Sequence, residues 1–135
     1  MIRTISQTGT GSPERAARAS DPNSQAVNVA GAETILYMAG QMAYRDNGSA
    51  AQAGDLKAQA RAALQAAKAQ VEAGGGTFEN IVEVNSYLTD IRQRVDYAAI
   101  REEFFGKKMP DSTLVAIATL AQLEFLVEIE SIAAI

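Results

Sequence analysis

A chain of 135 residues has room for one hydrophobic core, because each half of a two-domain chain would bury too little apolar surface to offset its ordering entropy. Hydrophobic residues make up 47% and charged residues 21%, a globular balance, and a net charge of −4 from 16 acidic and 12 scattered basic residues builds no field for nucleic acid. With no Cys and no His, disulfides, thiolate nucleophiles, a Ser-His-Asp triad and an ordinary zinc site are excluded, so acid/base work near neutral pH falls to a carboxylate, a Lys or an ordered water.

One domain over 1–135 is expected, with a loosely structured start over 1–23 where Gly9, Gly11 and Pro13 stand among small polar residues. Within that start only Ile2 to Ile5 suits a strand. Met1-Ile2-Arg3-Thr4 lacks the layout of a signal peptide, and no apolar run approaches the roughly 20 residues that cross a bilayer, so a cytoplasmic protein without a membrane partner is expected. Gln25 to Ala30 alternates apolar and polar, Thr34 to Ala39 is apolar and β-rich, and Gly31-Ala32-Glu33 between them is short enough for a hairpin.

From Asp55 the apolar period lengthens. Leu56, Ala60, Ala63, Leu64, Ala67 and Val71 line one face of a long helix, with Lys57, Gln59, Arg61 and Lys68 elsewhere, and Gly74-Gly75-Gly76 ends it. Those glycines are no phosphate loop, since no strand feeds them and no Lys-Ser/Thr pair follows. Asn80 to Leu88 is strand-like, with Val82, Val84 and Leu88 on one face and Glu83, Asn85 and Tyr87 on the other. Asp90, with Gln93 three residues on, can cap a second helix in which Tyr97, Ile100 and Phe104 form a stripe widened by Val95, Ala98 and Ala99; Gly106 and Pro110 close it. Strands over Thr113 to Leu120 and Phe125 to Ala133 follow. In the first of these, Val115 and Ile117 alternate with Leu114, Ala116, Ala118 and Leu120, so both faces are apolar. Two helices cover one face, and the other predicts a second protein surface, hence a homo-oligomer.

Five ordered pieces now stand at matching spacing: Leu36-Tyr37-Met38-Ala39-Gly40-Gln41; Gln59-Ala60-Arg61 with Leu64; Ile81-Val82-Glu83-Val84 with Tyr87-Leu88-Thr89-Asp90; Phe104-Phe105; and Val127 to Ala133. From about Ser24 to the C-terminus the chain resembles the RidA/YjgF family. The resemblance implies an α+β, chorismate-mutase-like mixed sheet with two helices packed on one face. It also implies a homotrimer with a small-molecule ligand in each cleft between subunits, no cofactor, and hydrolysis of reactive imines and enamines to ammonia and a keto acid.

The resemblance places Glu128 on the glutamate that positions the attacking water and Gly40 on the glycine bordering the pocket. Ser112 stands where the family has an arginine that grips the substrate carboxylate, a role suited to the guanidinium fork. Asn23, Ala39, Ala98 and Leu114 stand at the family's pocket tyrosine, strand-end serine, helix asparagine and Cys or Thr. A roomier pocket follows, less able to grip a small amino-acid imine, so the expected ligand lacks a free carboxylate or else brings its charge to Arg15 or Arg18 on the loop. Strand alternation alone would let Glu128 and Glu130 decorate a wet surface; an interface location gives Glu128 a role, and Glu130 is read as surface. Two functions follow, a deaminase-type hydrolase and a trimer that binds its ligand without turnover. An endoribonuclease reading is disfavoured by the acidic charge and the lack of His.

Overall fold

The structure, a computed structural model, describes residues 2–6, 24 and 26–135. In chain order the elements are β1 (Ile2–Ser6), β2 (Ala26–Ala30), β3 (Ile35–Gln41), α1 (Leu56–Ala73), β4 (Ile81–Leu88), α2 (Arg94–Phe105), β5 (Asp111–Ala116) and β6 (Val127–Ala134), with short 3₁₀ turns at Phe78–Asn80 and Ile91–Gln93.

The residues that switch period build the two helices. Asp55 caps α1 by accepting the Ala58 N–H at 3.0 Å, and the predicted apolar stripe from Leu56 to Val71 is buried. The helix stops at Gly74, and Gly75 takes φ +90, a conformation costly to any side chain. Asp90 caps the next segment, but its carboxylate accepts from the backbone and guanidinium of Arg92, and a 3₁₀ turn precedes α2.

Strands β3-β6-β4-β5 form one mixed sheet, β4 and β5 parallel and the other pairs antiparallel. Both helices lie on one face of it: Leu56, Leu64, Val71, Tyr97 and Ile100 share a core with Met38, Val84, Leu88, Val127 and Ile129. The mixed α+β sheet with two helices on one face is therefore as the sequence indicates.

Several local expectations are corrected. The 25–30 and 34–39 segments do not form a hairpin: β2 pairs with β1, because the chain at Glu33 and Thr34 is tied to the C-terminus, both N–H groups donating to the Ile135 carbonyl. In β4 a register shift between Ile81 and Glu83 buries Ile81 and leaves Val82 half-buried. The wider surface of α2 stays outside the protomer core, since Val95 is 69% exposed and Ala99 is exposed. Gln59, expected away from the buried face, is buried, its amide donating to the carbonyls of Gln52 and Glu124 and accepting the Leu126 N–H. Strand β5 ends at Ala116, and Leu114 packs on the helix side. Leu120 joins a separate cluster with Met42, Ala50 and Phe125, so the row from Leu114 to Leu120 does not run along one face of a strand as expected.

Candidate functional site

The uncovered face of the sheet is fixed by register. Tyr87 and Glu128 are partners across β4 and β6, Asn85 and Glu130 follow, and Tyr87 faces Val115 on β5. Ile35, Tyr37 and Val115 are 47%, 77% and 41% exposed here, so the face is apolar at its margins. Its middle is acidic. Asn85 Nδ2 donates to Glu83 Oε1 at 2.8 Å and to Glu130 Oε1 at 3.4 Å, so Glu130 is half-buried and partnered rather than simply wet. Burial, with Glu83 nearby, raises the Asp111 carboxyl above its ordinary range.

Glu128 meets Gly40 because β3 is bulged. Met38 pairs with Ser131 and Gln41 with Ile129, so β3 spends one more residue than β6 over the same stretch. The Ala39 carbonyl in the bulge accepts from Gln41 Nε2 at 2.9 Å. Gly40 is thereby brought against the Glu128 side chain: a Cβ placed on Gly40 would fall 2.7 Å from Glu128 Cδ and 2.9 Å from Cγ. Glu128 is half-buried, Ala39 exposed and Gly40 half-buried, so the carboxylate stands beside bare backbone at the edge of the open face. A carboxylate so placed can accept a proton from a water held over the glycine.

The remaining candidates lie on the opposite side of the sheet. Ser112 pairs with Val84 and Leu114 with Ser86, both in the helix-facing rows, and Leu114 packs against the core. Ala98 is half-buried on α2. Within one protomer the structure thus brings Gly40, Ala39 and Glu128 together and sets Ser112, Leu114 and Ala98 apart from them. Asn23, Arg15 and Arg18 lie outside the described residues.

The helix side holds polar groups that sequence reasoning passed over. Tyr97 Oη and Ser86 Oγ share a buried hydrogen bond, and burial raises the Tyr97 phenol above its ordinary range. Arg101 is 5% exposed, with its guanidinium carbon 5.8 Å from the centre of the Tyr97 ring, and burial pulls its pKa below the ordinary guanidinium value. The available signal was an arginine four residues after Tyr97, on the stripe destined for the core. Among the described residues, no group of three or more carboxylate, His or Cys side chains is arranged to hold a metal ion, and no helix is long and apolar enough to cross a membrane.

Residues 13–135 match the family model described as Endoribonuclease L-PSP. A RutC family protein of Pyrococcus horikoshii is 32% identical over 120 residues, 89% of this chain and 92% of its own length. A Dermatophagoides farinae protein named 2-iminobutanoate/2-iminopropanoate deaminase is 34% identical over 114 residues, 84% of this chain and 86% of its own. Among solved structures, a conserved Rid-family protein of unknown function from Yersinia pestis superposes with a TM-score of 0.83 at 26% identity, covering 100% of both chains.

Proposed function

The chain belongs to the RidA/YjgF family, and from that premise we propose that it assembles as a homotrimer that binds a small imine or enamine between subunits and hydrolyses it with a water positioned by Glu128. The observation that carries the reading is the Glu128 carboxylate lying directly against the bare Cα of Gly40 on the uncovered sheet face.

The chemistry follows from that placement. Water held by the Glu128 carboxylate attacks the imine carbon while the C=N electron pair moves to nitrogen. One proton of the water passes through Glu128 to the nitrogen, giving a carbinolamine. Glu128 then takes the carbinolamine hydroxyl proton and hands it to the amine as the C–N bond breaks, so the carbonyl forms, ammonia leaves and the carboxylate is restored. Backbone amides at the β3 bulge are the groups available to polarise the electrophile. A single subunit supplies half of this site. Ser112, Leu114 and Ala98 face the other way, so they line the same cleft only when they come from a neighbouring copy, and the exposed Tyr37, Ile35 and Val115 give that copy an apolar surface to cover.

Among the described residues the acidic face offers no cationic clamp for a phosphodiester, which weighs against the ribonuclease activity in the family description. A second reading, a trimer that holds its ligand without acting on it, is favoured by Ser112 standing in place of a carboxylate-binding arginine.

The test uses 2-iminobutanoate released in situ from 2-aminobutanoate by an amino-acid oxidase. Wild type should release ammonia faster than spontaneous hydrolysis. Glu128→Gln should lose about a hundredfold or more of that acceleration while thermal stabilisation by 2-oxobutanoate persists. Stabilisation of the wild type without turnover would establish the second reading.

A further inference from the structure

We propose that Tyr87, on β4, is a second catalytic residue of the Glu128 site: its phenol donates a hydrogen bond to the attacking water that the Glu128 carboxylate holds. The inference rests on the reading of Glu128 above and adds to it a residue from the neighbouring strand.

The two residues are register partners. Tyr87 stands opposite Glu128 in the antiparallel β4–β6 pair, whose register is regular from Glu83 to Leu88. Side chains directly opposed in this way share a face, with Cβ atoms about 4.5–5.5 Å apart. Both residues are half-buried. On its other flank Glu128 meets Gly40, which has no side chain, so along this row the carboxylate lies between bare backbone and a phenol.

Nearby polar side chains are engaged elsewhere. Asn85 donates to Glu83 and Glu130 in the adjoining rows, and Gln41 donates to the Ala39 carbonyl in the bulge. Glu128 and Tyr87 find no hydrogen-bond or ion-pair partner among the described residues. A tyrosine hydroxyl on a face that becomes covered normally finds a partner, since its loss of water is otherwise uncompensated. The phenol and the carboxylate do not bond to each other here. The group that suits both is one that donates to the carboxylate and accepts from the phenol, as a water molecule does.

Two such contacts orient the water for attack. One O–H points to Glu128 and one lone pair receives the Tyr87 O–H, which leaves the second lone pair to reach the imine carbon on the open side of the sheet. The phenol keeps its proton throughout, and the proton that leaves the water passes to Glu128 as in the hydrolysis above. Val115, the partner of Tyr87 on β5 and 41% exposed, is apolar and brings no competing acceptor to that flank.

The experiment measures ammonia release from 2-iminobutanoate, generated in situ over a range of concentrations, for the intact wild type, Tyr87→Phe and Tyr87→Leu. Tyr87→Phe removes one oxygen and should melt with wild type, because that oxygen engages no described residue. Its kcat should fall about tenfold with KM unchanged, the signature of a contact to the reacting water rather than to bound substrate. Tyr87→Leu, which loses the ring as well, should fall by a similar factor. Full activity in Tyr87→Phe overturns the assignment, and a loss confined to Tyr87→Leu would do so by showing that the ring only packs. A raised KM at unchanged kcat would make Tyr87 a substrate contact and overturns it likewise. Each of these results leaves Glu128 standing, whereas a wild type no faster than spontaneous hydrolysis overturns the hydrolase reading and the role of Tyr87 with it.

Discussion

Gly40 is glycine because of its neighbour rather than its backbone: it has no positive φ, but a methyl group there would collide with the Glu128 side chain. The obstructing atoms are the far end of a flexible side chain, so Gly40→Ala should keep stability within about 1 kcal/mol of wild type while swinging the carboxylate off its water. Thermal unfolding and ammonia release measured together should show an unaltered melt and a loss of turnover close to that of Glu128→Gln. A fully active Gly40→Ala would detach the glycine from the site. Gln59 illustrates the contrary case, a polar residue whose burial is structural: its amide satisfies two loop carbonyls and one N–H, which ties α1 to the segment leading into β6.

Between elements, the Arg61–Glu103 fork joins α1 to α2, with Nη2 to Oε1 and Nε to Oε2 at 2.8 and 2.9 Å. The hydrogen bonds from Arg61 hold the Glu103 carboxyl below its ordinary 4.5. A carboxylate depressed in the folded state adds stability above its unfolded pKa and loses it as pH falls through the folded value. The melting temperature of wild type should therefore exceed that of Glu103→Gln at about pH 7, and the gap should close below about pH 4. Both groups are exposed, so the effect is small, and a gap that persists in acid would mean the variant acts through packing instead. The legible parts of the fold were those where pattern is local. The α1 stripe and its Asp55 cap, the Gly74 end and the alternation of β6 could be read from neighbouring residues. Pairings set by distant partners could not: β2 joins β1 instead of β3, and the shift at Ile81 turns Val82 off the core row. The resemblance singled out Glu128 and Gly40, and the structure sets the two side by side. The facing of Ser112 and Leu114 depends on a parallel register that no local pattern encodes, and the burial of Arg101 was hidden because it is a charge on an apolar stripe.

Over the whole molecule, the proposed cleft would combine residues on opposite sides of a single sheet, Gly40 and Glu128 on one and Ser112, Leu114 and Ala98 on the other, and the uncovered face mixes Tyr37, Ile35 and Val115 with the row of Glu83, Asn85 and Glu130. A cyclic assembly resolves the geometry, since a head-to-tail contact sets one face of each copy against a different face of the next. Subunit mixing tests this most directly. Glu128→Gln disables the first half-site, and Ala98→Phe fills the second from a half-buried helix position. The two variants are refolded separately and as an equal mixture, and ammonia release is measured. Each variant alone should be inactive, and the mixture should recover about a quarter of wild-type turnover, the share of clefts that combine two intact halves in a randomly mixed ring. A mixture no more active than its parents would contradict a site shared between subunits.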